Sequence, residues 1–221
     1  PELSESIKEG IMYAYRSVPI REILILLSVT SMMGMSYTAL MPIFAKEILK
    51  GGAENLGFLM SAAGFGALFG AWFLATRKNI RKLENVIPVT AIMFGISLCI
   101  FAFSTKMWLS MISMAFAGLG IMIQIASSNT LLMAMSDEDK RGRIMSFYAM
   151  AFMGFAPIGS LVGGSLAQYI GVQKTVFYGG LCIIIFALHY LKNIKYFNKE
   201  IKEIFEKNGI LPDINNTLKS I

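Results

Sequence analysis

The residues of this chain best suited to chemistry lie inside long apolar runs. Gln124, Ser127, Ser128, Asn129 and Thr130 cluster in one run, and Thr30, Gly34, Tyr37 and Thr38 share one side of another. Such amides and hydroxyls can hold a ligand by hydrogen bonding without titrating. Within a bilayer they are costly unless they face protein or water. Gln124, Ser127 and Ser128 fall on one helical face, whereas Asn129 is rotated about 140° from Gln124 at 100° per residue. Thr30, Tyr37, Thr38, Gln124, Ser127 and Ser128 therefore predict the polar wall of a substrate cavity. Asn129 either joins that wall or pins a neighbouring helix. Met33, Met35, Met41, Met122 and Met133 would supply an adaptable apolar wall beside it.

Other chemistries fit less well. Ser160, Ser165 and His189 are the parts of an intramembrane hydrolase, yet the Gly-x-Ser-x-Gly spacing is absent and His189 lies near the end of its run. Cys99 and Cys182 lack metal-ligand spacing and read as small apolar residues. Neither a metal nor a cofactor is expected, and without a phosphate-binding loop ATP is not the direct energy source. No run has an Asp or Glu in its interior, so a proton-coupling carboxylate is expected outside this segment.

The elements that must position these residues follow from composition. Of 221 residues 55% are apolar and 15% charged, with mean hydropathy +0.60; soluble chains are roughly 45–50% apolar and 25% charged. That balance excludes a soluble domain, a disordered chain and, despite a net charge of +6, a nucleic-acid-binding domain. Six runs are long enough to span a bilayer as helices: 23–45, 56–76, 86–104, 108–134, 144–170 and 175–191. They lack the alternation of barrel strands, so the expected class is an all-α membrane protein of six transmembrane helices. If both ends of the segment are cytoplasmic, sixteen of the 20 Lys and Arg lie inside, leaving Lys46, Lys50, Lys106 and Lys174 outside. The basic balance is then a topology signal, pointing to a plasma membrane with the lipid bilayer as partner.

Three regions result: residues 1–22, the six-helix domain 23–191, and a basic tail 192–221. In the first, Ile7, Ile11, Tyr15 and Val18 recur at helical spacing until Pro19, predicting an amphipathic helix on the inner leaflet. In the tail, Ile194, Phe197, Ile201, Ile204 and Phe205 oppose Lys195, Lys199 and Lys202, until Gly209 and Pro212. Anionic lipid accounts for that basic face; a protein-binding tail is the alternative. The start at Pro1 leads us to expect residues upstream.

Matching spans recur about 87–90 residues apart, and spans three and six each carry Leu-Cys-Ile, at 98–100 and 181–183. A three-helix unit repeated once must be inverted, as in many secondary transporters. Ala62, Gly66 and Gly70 in span two, and Gly159 and Gly163 in span five, predict close helix packing, and Pro157 a bend. That packing is either ordinary or an interface that slides.

Several segments are similar to the C-terminal half of a major facilitator superfamily transporter. They are Gly34-Met-Ser-Tyr-Thr-Ala-Leu-Met-Pro42, Leu56-Gly-Phe-Leu-Met-Ser-Ala-Ala-Gly-Phe-Gly-Ala67 and Ser127-Ser-Asn-Thr130, with Arg141-Gly-Arg-Ile-Met-Ser146 and Met153-Gly-Phe-Ala-Pro-Ile-Gly159. They resemble most the bacterial branch that includes enterobactin exporters. The resemblance covers about residues 3–192 and implies helices seven to twelve of a twelve-helix fold. Spans one and four would line the central cavity, two and five would face the missing N-terminal half or a second copy, and three and six would be peripheral. Of the superfamily loop signature, Arg77, Arg81 and Lys82 supply the basic positions, while its glycines and acid are missing. With Asp137, Glu138, Asp139, Arg141 and Arg143 these form either an inside charge network that closes the outward-open state or solvated loops.

The reading reached is a secondary transporter exporting a small, partly apolar, siderophore- or drug-like molecule by alternating access, and not an enzyme. A non-transporting six-helix or lipid-organising assembly is the alternative, and an intramembrane enzyme the remote one.

Overall fold

A computed structural model of the chain describes residues 11–77 and 82–207. Among these, six helices are long and apolar enough to cross a membrane: α1 Val18–Ile48, α2 Ala53–Ala75, α3 Leu83–Phe103, α4 Met107–Met135, α5 Arg141–Ile170, and α6, whose span Val172–Ile194 opens it. The chain is an all-α membrane protein, and no strand occurs among the described residues.

Each helix outruns its apolar stretch. Residues 11–16 are helical, and after Ser17 the chain re-enters a helix with Pro19 in the first turn of α1. A first-turn proline has no intrahelical bond to lose, so it opens α1 as readily as it closes the preceding turn. Ile11 and Tyr15 are exposed, as a lipid-facing stripe would be; Ile7 lies outside the described residues. At the other end α6 continues unbroken over Val172–Lys207. Phe197, Ile201 and Phe205 are buried in the main apolar cluster, so the apolar stripe of the tail packs against protein. Gly209 and Pro212 lie outside the described residues.

Alternating crossings make α2 and α4 parallel, and likewise α1 and α5. These are the pairs that pack through glycine. A Cβ on Gly66 or Gly70 would run into the backbone of Ala115 or Leu119 on α4. One on Gly159 or Gly163 would meet Met32 or Ser36 on α1. Both pairs step by four residues on both helices, the signature of two parallel helices in one register. The antiparallel pair α3 and α6 meets at Gly95 and Gly180, each against the other's carbonyl. α3 also packs along α4, and α6 along α1. Exchanging the first three helices with the last three therefore maps this packing scheme onto itself, as two inverted repeats would require.

Gly66, Gly70, Gly159 and Gly163 thus face inward, within the six-helix unit. The remainder of α2 and α5 is open: Phe65, Leu68 and Trp72 on one, and Met153, Leu161 and Tyr169 on the other, are largely exposed.

Candidate functional site

The polar face of α4 is sealed against α1 and its other neighbours. Gln124, Ser127, Ser128 and Thr30 are fully buried. Gln124 Nε2 donates to Thr30 Oγ1 at 2.9 Å, and the Thr30 hydroxyl donates to the Leu26 carbonyl at 2.8 Å. The remaining groups are unsatisfied: Gln124 Oε1 and the hydroxyls of Ser127 and Ser128 have no partner. Buried polar atoms without partners are rare in folded proteins because each forgoes its hydration. This seam is the densest such group in the described chain, and it lies inside the membrane-crossing part of the bundle.

Backbone irregularity surrounds it. Thr30–Gly34 of α1 is a π-helical segment, as is Met150–Gly154 of α5. The two touch, and the Ser31 hydroxyl donates to the Phe152 carbonyl across them. A π segment loosens the regular ladder, so a neighbouring hydroxyl can take up a carbonyl. The second π segment of α1, Phe44–Ile48, follows Pro42, whose missing N–H disturbs the ladder there. Pro157 lies just beyond the π segment of α5.

The other cavity candidates diverge. Tyr37 is buried edge-on to Phe94, with ring centroids 6.1 Å apart. Thr38 is exposed and bonds the Met35 carbonyl of its own helix at 2.7 Å. Asn129 is half-buried and hydrogen-bonds the Tyr148 hydroxyl of α5. Tyr148 also donates to the Ile125 carbonyl at 3.2 Å. Asn129 thus lies towards α5, and Thr30, Gln124, Ser127 and Ser128 are buried together as the seam.

Two grooves open elsewhere on the described chain, neither lined by a seam residue. One of about 450 Å³ runs between residues 11–15, α1 and the start of α5, with Leu24, Ile25, Val29, Phe147 and Phe155 as walls and Arg21 at its edge. The other, about 300 Å³, lies between α2, α3 and α4, and includes Arg77, Met122 and Thr130.

The loop charges gather at one end of the bundle, the basic end. Arg77 is exposed and stacks over the Phe73 ring at 5.7 Å. Lys82 is exposed in a left-handed turn, φ 69°, that leads into α3; Arg81 lies outside the described residues. Around the α4–α5 connection Asp139 is exposed, whereas Asp137 and, in the first turn of α5, Arg141 and Arg143 are half-buried. The loop is tied to the first helical turn: the Asp137 amide donates to the Tyr13 hydroxyl at 3.4 Å, and the Lys140 ammonium lies 4.9 Å from the Tyr13 ring centre. Of the hydrolase parts, His189 and Ser165 are exposed, and the His189 ring meets Asn193 of its own helix at 3.4 Å.

Sequence reasoning missed two acids. Glu84 is buried in the first turn of α3, with Oε2 unpartnered. Glu22 lies in α1 beside Arg21, with 13% of its side chain exposed. Apolar runs stop at charged residues, so spans drawn from them end before either acid. The first-turn cue at Glu84, an acid just after a basic loop, was the available signal.

A profile of the transmembrane secretion effector family matches residues 1–212. The chain is 22% identical over 204 residues to an uncharacterized MFS-type transporter, YfmI, of Bacillus subtilis (strain 168), covering 91% of this chain and 50% of that protein. It is 23% identical over 178 residues to the staphyloferrin A transporter of Staphylococcus aureus (strain NCTC 8325 / PS 47), covering 80% of this chain and 43% of that one. A D-xylose transporter of Levilactobacillus brevis is 25% identical over 111 residues, covering 50% and 24%. The chain spans about half the length of the first two relatives.

Proposed function

The chain belongs to the transmembrane secretion effector family of major facilitator transporters, and from that premise we propose that it is one half of a secondary exporter working by alternating access. The family is one of membrane transporters and not of enzymes. The proposed location is a bacterial plasma membrane, with the basic end cytoplasmic by the positive-inside rule. The partner is a second six-helix half, or a second copy of this chain, seated on the open faces of α2 and α5. Residues 11–16 would rest on the inner leaflet, and the basic side of the α6 extension would face anionic lipid.

The observation that carries this reading is the unsatisfied seam of Thr30, Gln124, Ser127 and Ser128. A rocking motion that parts α1 from α4 would offer these atoms to a ligand and reseal them afterwards. The substrate class is inferred from the larger of the two grooves, which borders α1, the helix that carries Thr30. The apolar 450 Å³ groove with Arg21 at its edge suits a small, partly apolar molecule bearing anionic or hydrogen-bonding groups. Siderophores have that chemistry, and one relative is named for staphyloferrin A. Arg77, Lys82, Asp137, Asp139, Arg141 and Arg143 are proposed to close the basic end when the site opens opposite, with Arg81 beside them in sequence.

The test is export of a catecholate or carboxylate siderophore and of a lipophilic dye from cells carrying the intact protein. Gln124→Leu is expected to cut export about tenfold or more, equivalent to about 1.4 kcal/mol, at unchanged membrane abundance. Full export by that variant would overturn the assignment of the seam as the substrate surface.

A further inference from the structure

Five consecutive residues of α1 meet four other helices. Thr30–Gly34 is the π segment midway along that helix. Thr30 accepts from Gln124 Nε2 of α4, and Ser31 donates to the Phe152 carbonyl of α5. A Cβ on Gly159 of α5 would strike the Met32 carbonyl, and one on Gly179 of α6 the Met33 carbonyl. A Cβ on Gly34 itself would meet the Phe94 ring of α3 and Ile183 of α6. Close packing therefore holds Met32, Met33 and Gly34, whereas hydroxyl bonds to neighbouring helices hold Thr30 and Ser31. Both hydroxyl residues are fully buried.

The Ser31 bond answers a gap in the partner helix. A π segment pairs a carbonyl with the N–H five residues on. For Phe152, in the π segment Met150–Gly154, that residue is Pro157, which has no N–H. The Ser31 hydroxyl supplies a donor in its place. Successive helical residues point roughly 100° apart, so the same turn that gives Ser31 to α5 gives Thr30 to α4. Fixing Ser31 on Phe152 sets the rotation of α1 at this level. It holds the Thr30 hydroxyl where Gln124 Nε2 reaches it, while Gln124 Oε1 and the hydroxyls of Ser127 and Ser128 stay without partners.

We propose that Ser31 is a positioning residue for the seam: its bond to the Phe152 carbonyl fixes the π turn of α1, so that Thr30 holds Gln124 and the seam is presented as one preorganised polar surface. The role in transport rests on the reading of the seam as the substrate surface; the coupling of the turn to Gln124 does not. Ser31 faces α5 and is not itself part of that surface. Without its bond the turn rotates freely and Gln124 loses its fixed partner. A ligand must then order the amide as it binds, which weakens affinity and leaves later steps alone.

Two measurements on the intact protein test this. The first needs no substrate: the Tm in detergent of Ser31→Ala, Gln124→Leu and the double variant. Ser31 and Gln124 share no hydrogen-bond partner, and the effects of such sites ordinarily add. Positioning through the turn predicts that the double variant loses less Tm than the two single losses summed. Ser113→Ala is the control, because its hydroxyl bonds the Leu109 carbonyl of its own helix; its loss adds in full to that of Gln124→Leu. The second measurement is uptake of a carboxylate siderophore by inverted membrane vesicles. Ser31→Ala is expected to raise KM about threefold, the equivalent of one interhelical hydrogen bond of about 0.6 kcal/mol, at an unchanged maximal rate per molecule. A merely structural defect lowers the maximal rate and leaves KM alone. If Ser31→Ala does not accumulate, Ser31→Cys, which keeps the shape with a weak donor, is read in the same way. Full additivity in the first measurement, or an unchanged KM in the second, overturns the proposal. A wild type that moves no siderophore yet shows the non-additive Tm sinks the siderophore exporter and keeps the coupling of Ser31 to Gln124. Normal wild-type transport with additive Tm losses sinks only the role of Ser31.

Discussion

A glycine whose missing Cβ would strike a neighbouring backbone is a packing instruction that no larger residue can follow. Gly66 and Gly159 are such positions, lying against the carbonyls of Ala115 and Met32. Backbone cannot rotate away as a side chain can, so Gly159→Ala must push α5 from α1. Overpacking of this kind costs about 1–3 kcal/mol, and denaturant titration of the purified protein is expected to show a loss in that range. Gly164→Ala is the control: its Cβ would meet nothing within 4 Å, so its stability should equal or slightly exceed the wild type, alanine being the better helix former. The seam makes a smaller claim on stability. Thr30→Val removes the acceptor of Gln124 Nε2, and hydrogen bonds between membrane helices average about 0.6 kcal/mol, with a maximum near 1.7. Thr30→Val should therefore destabilise less than Gly159→Ala while reducing export more, and an equal effect on export from both would undo the distinction between seam and scaffold. Both residue sets were legible in the sequence by type and spacing. Their partners were not, because Gln124 and Thr30 lie 94 positions apart and only the fold joins them.

At the scale of elements the apolar runs located every helix, but the ends and the irregularities needed tertiary structure. Hydropathy falls at the first charge, whereas a helix continues for as long as its backbone bonds and contacts hold. So α1 takes in Glu22, α3 takes in Glu84, and α6 runs on to bury Phe197, Ile201 and Phe205. The π segments left no sequence trace beyond the prolines near two of them, since Thr30–Gly34 reads as ordinary helix. Their meeting point has a consequence for register. Gly159 and Gly163 follow the π segment Met150–Gly154, which absorbs one extra residue in the helix. Deleting one residue from 150–154 is therefore expected to restore an α-helical turn and keep both glycines on Met32 and Ser36, with monodisperse folded protein on size exclusion. Inserting one alanine after Ile158 adds a residue that the segment has no room to absorb and rotates both glycines by about 100°. Loss of the monodisperse protein is the expected result there. Equal behaviour of the two variants would show that the π segment does not set the register.

The whole molecule presents an unequal outer surface. α2 and α5 bury few residues other than glycine, whereas α3 is buried along most of its length. An apolar helix face in a bilayer can rest on lipid or on protein, and exposure within six helices does not distinguish them. The exporter proposed above puts protein there. α2 and α5 are related by the repeat, so they offer one pair of equivalent faces, and a second half built on the same plan would cover both together. Leu161 on α5 and Phe65 on α2 stand at 74% and 62% exposure within those faces, and Ile185 on α6 at 56% on the other side of the bundle. After replacement of Cys99 and Cys182 by Ser, single cysteines at 65, 161 and 185 can be spin-labelled in detergent and, after reconstitution, their collision with lipid-dissolved oxygen read by EPR. Covered faces should shield the labels of Phe65→Cys and Leu161→Cys while that of Ile185→Cys collides freely. A substrate or inhibitor that shifts the conformation should change collision at 65 and 161 and leave 185 constant, because rocking of two halves moves their shared boundary and not the lipid-facing perimeter. Equal and constant collision at all three positions would place α2 and α5 against lipid and remove the basis for a second half on those faces.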